Sequence, residues 1–536
     1  MKKLFRKFFA LPILRKQSVA QATIIISILT FLSKFVGYAR EVLTAKYFGT
    51  SWQLDAYLVG SQVPMMVLGI FAGGFGTLII PKYLEYKKRN KQDAIRYVNQ
   101  IFVVWGCIFL LVSIFTIVFA HTLVHIVAIG FKGERLNLAV VITRYLSLFG
   151  FLNILLSLLV GILHSEKQFF IPTITTALGN LLTLFSLLFL TKYFGIQSMT
   201  VGSTLLIFFD FVVIFSILFK KYQFFHFSRI TIKWSEIRNF GYLLLPLTIS
   251  SGMDSLNAIA DKTIASTLST GAISAINYSS RIWGIPMSLI ALSFTVTLLP
   301  HFSEKASDIT KLLELKQSIN KSLIFMFYFM IPISILLLTM SLPIVRLFYQ
   351  RGAFNNTDTQ ITTNVNRMYS LGLVFISTNH ILYKAFYALK KTWIPLLFSI
   401  VSVAINFYGN IILAKYMGVS GIALSTSIVN LVYYIVGYYV LDHYFIKAFS
   451  HVNSTGANLV VEFSKVLICS ILTGGFSLLI LPILKIPGSF ILSALKIGIS
   501  GFLLSIVYLF LSYLFQTEGY IFVKQYLVKF KITNLR

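Results

Sequence analysis

The chain has 536 residues, 57% of them hydrophobic and 12% charged, and a mean hydropathy of +0.82, a composition that excludes a soluble globule of this length. Its formal net charge of +29 does not point to nucleic acid, because the cations fall in short connections between apolar runs, where a membrane explains them. The two cysteines, Cys107 and Cys469, lie inside apolar runs and give no disulfide or metal framework. What remains is an all-α polytopic membrane protein: apolar runs of roughly 20 residues, enough for a helix to cross a bilayer core about 30 Å thick, recur along the chain. Strands of a β-barrel would be about 10 residues long with alternating polarity.

Residues 1–17 open with MKKLFRKFFALPILRK, cations mixed with Leu, Phe and Ile. No small-residue cleavage site follows, so the segment reads as a basic amphipathic stretch on the cytoplasmic face rather than a signal peptide. About fourteen spans follow, near 19–48, 56–81, 98–128, 138–163, 169–191, 198–219, 237–260, 272–300, 320–348, 363–389, 393–415, 419–442, 459–483 and 489–515. Cations concentrate after even-numbered spans: Lys82, Lys87, Lys88, Arg89, Lys91 and Arg96 after the second, Lys220, Lys221, Arg229, Lys233 and Arg238 after the sixth. Lys305, Lys311 and Lys316 follow the eighth, Lys390 and Lys391 the tenth, and Lys524, Lys529, Lys531 and Arg536 stand in the tail. The odd connections, around Lys132, Arg135 or Lys485, are poorer. This bias predicts both termini in the cytoplasm.

The chain also repeats itself. Arg144, Ser147, Leu148, Ile171, Pro172, Lys192, Tyr193 and Gly195 recur, 223 residues on, as Arg367, Ser370, Leu371, Ile394, Pro395, Lys415, Tyr416 and Gly418. Ala56, Phe75, Pro81 and Glu85 recur 219 residues on as Ala275, Phe294, Pro300 and Glu304. Spans 1–6 and 7–12 therefore read as one fold twice. Six spans is an even number, so the two copies run parallel, a plan suited to alternating access. The expected organisation is the amphipathic segment 1–17, an N-lobe 18–222, a C-lobe 223–446, and 447–536 carrying two additional helices and the basic tail.

Charged residues within spans carry the chemistry, since one at a helix centre costs about 2.5 to 3.5 kcal/mol on insertion scales. Lys34 and Arg40 lie in span 1 and share a face only if the helix bends, with Gly37 as the hinge. Otherwise both snorkel to an interface. Glu41 follows Arg40. Asp55 opens span 2, where it either faces a cavity or complements the helix dipole of a first turn. Arg281 sits about ten residues into span 8, as a cavity cation or a snorkelling one. Asp261 and Lys262 close span 7, positioned to pair with each other or with headgroups. Asn406 and Asn410 are one turn apart on span 11 and suit helix–helix hydrogen bonding. Cations facing a cavity predict an anionic ligand, and guanidinium forks suit phosphate. No G-x-x-x-x-G-K-[ST] run is present to drive an ATP pump. No His/Cys/Glu spacing suits a metal, and Glu134, the most obvious outer-loop acid, has no constellation around it for glycosyl transfer.

Four stretches carry a resemblance: SKFVGYARE with LDAY, IIPKYLEYKK, YSSRIWGIP through LLPHFSEK, and LFYQRGAF. On these the chain resembles the MurJ/MviN lipid II flippase family of the multidrug/oligosaccharidyl-lipid/polysaccharide exporter superfamily. That likeness implies a monomeric flippase, not an enzyme, in the bacterial cytoplasmic membrane. It would carry the undecaprenyl-pyrophosphate-linked peptidoglycan precursor to the outer leaflet, with membrane lipids and cell-wall synthesis or division proteins as partners. It maps substrate-binding cations onto Lys34, Arg40 and Arg281, acidic partners onto Glu41 and Asp55, and a monovalent-cation site onto Asp261, Asn406, Asn410 and Thr426. The implied energy source is sodium or the membrane potential, with no other cofactor. The sequence departs from the family where Lys34 replaces an Arg, at Leu68–Gly74, where charged residues are usual, and at Asn410, where a carboxylate would bind a cation better. These departures leave open a flippase for another polyprenyl-linked saccharide, of capsule, teichoic or exopolysaccharide type. A cation-coupled drug exporter would call for an acidic cavity.

Overall fold

A computed structural model describes residues 19–222, 224, 232–448, 456–480 and 490–533; segment 1–17 and Lys485 lie outside them. The described residues contain helices and no strands. In a bilayer no water reaches the hydrocarbon, so each backbone donor and acceptor must be satisfied within its own segment. The chain divides into two compact units, Met1–Gly271 and Ala272–Arg536.

The first unit contains α1 (Val19–Phe48), α2 (Trp52–Pro64), α3 (Ile70–Arg89), α4 (Lys91–Val118), α5 (Ala120–Val127), α6 (Gly133–Ser165), α7 (Phe170–Phe185), α8 (Thr191–Phe194), α9 (Gln197–Tyr222) and α10 (Trp234–Ser266). Its hub is α6, which packs on α2, α3, α4, α5 and α9, while α1 packs on α7 and α10 on α3. Close approach at the hub depends on missing side chains. A Cβ on Gly76 of α3 would stand 2.6 Å from the Ser157 carbonyl oxygen of α6, and one on Gly161 would strike the Gly76 carbonyl.

The second unit contains α11 (Ala272–Pro286), α12 (Ser293–Ala306), α13 (Leu312–Thr339), α14 (Ser341–Tyr349), α15 (Asn356–Ala388), α16 (Trp393–Met417), α17 (Val419–Ala448), α18 (Gly456–Ile480), α19 (Phe490–Leu514) and α20 (Glu518–Thr533). Here α15 is the hub, against α11, α12, α13, α14 and α17. Asn355 starts it with a capping box closed by Asp358. The added α18 packs on α13, and its Glu462 accepts the Glu518 backbone N–H at 2.8 Å, fastening the start of α20.

The internal repeat extends to the backbone. The hub helices α6 and α15 are both 33 residues long and begin 223 residues apart, at Gly133 and Asn356. Lys167 and Lys390 both take left-handed φ, 58° and 57°, as do Gly195 and Gly418 at 53° and 58°. Pro64 and Pro286 each precede a π turn, Met65–Gly69 and Met287–Leu292, which continues the helix past the donor that proline lacks.

Several expectations change. Apolar sequence alone carried span 3 to 128 and span 9 to 348. Phe119 (φ −90°, ψ 14°) and Met340 (φ −93°, ψ 13°) instead leave the helix, so the short α5 and α14 are separate elements. No break occurs at Gly37, because α1 is one helix throughout. Eleven helices among the described residues are long and apolar enough to cross a membrane. Helices α1, α10 and α15 occupy the other three expected places with 30, 33 and 33 residues. The sequence repeat divides near 222, whereas the compact units divide after Gly271, because α10 packs on α3 and α5.

Replacing Gly161 by Ala should cost about 1 to 3 kcal/mol of stability through overpacking. Gly37→Ala, with nothing within 4 Å of the added Cβ, should leave the melting temperature unchanged. Thermal melts of the detergent-solubilised variants check both.

Candidate functional site

The first unit brings Arg40 and Glu41 together. An Arg40 Nη2 donates to Glu41 Oε1 at 3.2 Å, with the side chains 28% and 8% exposed. Lys34 is exposed on the same helix. Six residues of unbroken helix separate it from Arg40, about 240° of rotation, so the two point to different faces. Beside Lys34, Ser33 accepts a 2.8 Å hydrogen bond from the Asn180 amide of α7.

Asp55 has a different place. Ser51 caps α2, its Oγ accepting from the Leu54 N–H, and Asp55 falls in the first turn. Its carboxylate is completely buried, and Oδ2 accepts from an Arg135 Nη2 at 2.6 Å and from the Gly271 N–H at 2.7 Å. The Arg135 guanidinium lies 3.9 Å above the Phe131 ring. Gly271 takes φ +90°, and a Cβ there would stand 2.6 Å from the Thr50 carbonyl oxygen. Asp55 thus ties α2 to the start of α6 and to the chain beyond α10. It serves the scaffold, where a substrate-facing acid had been expected. The Lys262 ammonium of α10 likewise reaches α2, donating to the Leu58 carbonyl at 3.0 Å and to Gln62 Oε1 at 2.7 Å.

In the second unit Arg281 is exposed on α11. Asn277 lies one turn before it, and Gly284, three residues on, has nothing within 4 Å of where a Cβ would be. Asn406 and Asn410 of α16 are 2% and 0% exposed. The Asn406 Oδ1 accepts from Ser425 Oγ at 3.2 Å and Thr426 Oγ1 at 3.4 Å, both on α17. Asn430 donates to the Thr426 carbonyl at 2.8 Å, and Asn379 of α15 donates to the Asn430 carbonyl at 3.0 Å. This amide and hydroxyl seam fits helix-to-helix hydrogen bonding. The carboxylate of the expected cation set, Asp261, is half-buried and belongs to the first unit. The described residues hold no cluster of three His, Cys, Asp or Glu side chains suited to a metal. The Asn406 amide oxygen is engaged with two hydroxyls, and Asn410, buried on the same face, carries no charge for a cation.

Sequence reasoning missed Arg135 as the partner of Asp55, eighty residues away, and missed Asp210 in the middle of α9. The second had a signal: a lone acid inside the apolar run IFFDFVVIF.

The chain matches the family described as lipid II flippase MurJ over residues 44–497. It belongs to that family. Similar relatives include a probable lipid II flippase MurJ of Buchnera aphidicola subsp. Schizaphis graminum, 29% identical over 441 residues, covering 79% of this chain and 83% of the relative. A lipid II flippase MurJ of Thermosipho africanus is 27% identical over 419 residues, covering 77% and 84%. Among solved structures, a lipid II flippase MurJ in an inward closed conformation has a TM-score of 0.74 at 24% identity, covering 92% of this chain and 98% of that one. An inward-facing MATE family transporter of the MOP superfamily reaches 0.64 at 16% identity, covering 81% and 100%. The MurJ family is one of transporters rather than enzymes, and this member is a multi-pass protein of the cytoplasmic membrane.

Breaking a buried ion pair by removing one partner costs about 3 to 5 kcal/mol. Asp55→Ala should therefore lower the melting temperature strongly, whereas Arg40→Ala, at a half-buried pair, should lower it little. Thermal unfolding of the two purified variants compares them.

Proposed function

We propose that this protein flips lipid II, the polyprenyl-pyrophosphate-linked peptidoglycan precursor, to the outer leaflet of the cytoplasmic membrane by alternating access. The observation that carries the reading is the family match across residues 44–497. The twofold sequence repeat suits alternating access, and cations stand within membrane helices at Lys34, Arg40 and Arg281. A pyrophosphate carries charge that a guanidinium would neutralise, and Arg40 and Arg281 can each offer a bidentate fork. Asp55 is left out of this set because its carboxylate is committed to Arg135 and Gly271.

The proposed energy source is the membrane potential acting on the cationic transport site, worth about 2.3 kcal/mol per charge moved through 100 mV. Sodium coupling is the second proposal, weakened because Asn406, Asn410 and Thr426 bring no carboxylate to offset the ion's charge. Both termini are assigned to the cytoplasm on the cation bias of the connections. Transport through a different polyprenyl-linked saccharide remains the competing reading, favoured by the apolar run Leu68–Gly74 where the family carries charge.

In cells depleted of their own lipid II flippase, the wild-type protein should restore growth and surface-accessible lipid II. Arg40→Ala and Arg281→Ala should each abolish rescue while inserting at normal levels. Full rescue by both variants would refute the cation site, and failure of the wild type would favour the other saccharide. Flipping in vesicles should be unchanged when sodium is replaced by potassium.

A further inference from the structure

Asp210 stands at the middle of α9 and is 2% exposed. Its Oδ2 accepts one hydrogen bond, from Thr176 Oγ1 of α7 at 3.2 Å. Its Oδ1 has no hydrogen-bond partner among the described residues and abuts Gly179, where a Cβ would stand 3.3 Å away. Among the described residues no cation pairs with this carboxylate. Helix α7 contains no titratable side chain, and neither does α6 between Leu146 and Leu163; the titratable groups of α6, Glu134, Arg135, Arg144, Tyr145 and His164, lie outside that run. The short α8 carries Lys192 and Tyr193 near the start of α9. Lys220, Lys221 and Tyr222 follow Asp210 by ten residues or more, about 15 Å along the axis. From α2, Tyr57 reaches Ser203, two turns before Asp210.

An ionised carboxylate buried with one neutral hydroxyl would carry several kcal/mol of uncompensated desolvation. Adding a proton removes that charge. The two oxygens supplied by Asp210 and the one by Thr176 fall short of a cation's coordination shell, but a proton needs only one of them. The acid is also not demanded by the fold. At the 223-residue separation of the repeat its counterpart is Tyr433, buried at 5% exposure.

We propose that Asp210 is a proton-binding site of the first unit, neutral while α7 and α9 are closed around it and able to ionise when water enters between them. A proton taken up from water at one stage of the cycle would then be returned to water at another. The site is independent of which lipid is carried.

Infrared difference spectra of wild type against Asp210→Asn in lipid nanodiscs at pH 7 test the protonation directly. The expected result is a protonated carboxylic acid band in the wild type that the variant lacks; an ionised carboxylate at residue 210 would overturn the assignment. The amide mimics the neutral acid, so the variant should fold normally. In vesicles, lipid II flipping by the wild type should change severalfold with an imposed pH gradient, and flipping by Asp210→Asn should not. A wild type indifferent to the gradient, or a variant that responds equally, would overturn proton exchange. Failure of the wild type to flip lipid II at all would count against the substrate reading, with the spectra still deciding the protonation.

Discussion

The first unit depends on the approach of α3 to α6, where the absence of side chains at Gly76 and Gly161 lets backbone meet backbone. In lipid there is little hydrophobic gain from pressing two helices together, so association relies on close van der Waals packing and on hydrogen bonds. Here the closeness is at its limit, and α2 approaches α6 in the same way, where a Cβ on Gly60 would stand 2.7 Å from the Ala139 carbonyl oxygen. The second unit uses the same device, a Cβ on Gly372 of α15 standing 2.6 Å from the Ser427 Cα of α17, and adds polar groups. Its hub, α15, buries Thr359, Thr362, Thr363, Asn366, Ser370, Ser377, Thr378 and Asn379, and Ser427 of α17 donates to the Met368 carbonyl at 2.6 Å. Both hubs thus combine side-chain-free close approach with buried hydrogen bonds, as where Thr143 of α6 donates to the Gly60 carbonyl at 3.0 Å in the first unit.

The repeat was legible where it is imposed by backbone geometry: Gly195 and Gly418 share a left-handed turn, and Ser147 and Ser370 are both wholly buried on the hubs. The breaks at Phe119 and Met340 were not legible, because hydropathy continues across them and neither residue is a glycine or proline. The π turns that follow Pro64 and Pro286 were not legible either, because proline alone does not tell a break from a helix that continues.

The candidate site was legible in part. Charge inside an apolar run identifies Lys34, Arg40 and Arg281 without any structure, because burial in lipid would be costly for each. It cannot tell which charges are already paired within the protein. Asp55 was expected beside the substrate-binding cations, but its partner Arg135 stands in the first turn of α6, and only the folded chain brings the two within 2.6 Å. Asn406 and Asn410 read correctly as one helix face, and their hydroxyl partners on α17 needed the structure.

Lys167 and Lys390 carry a further consequence. Both hold a left-handed backbone that costs an ordinary side chain about 1 to 2 kcal/mol. Glycine would adopt it freely, and glycine occupies the other paired left-handed turn of the repeat, at Gly195 and Gly418. Both lysines follow even-numbered spans, on the face where cations accumulate. A glycine there would ease the turn and remove a positive charge from the connection, and both copies of the fold keep the charged side chain at the strained position.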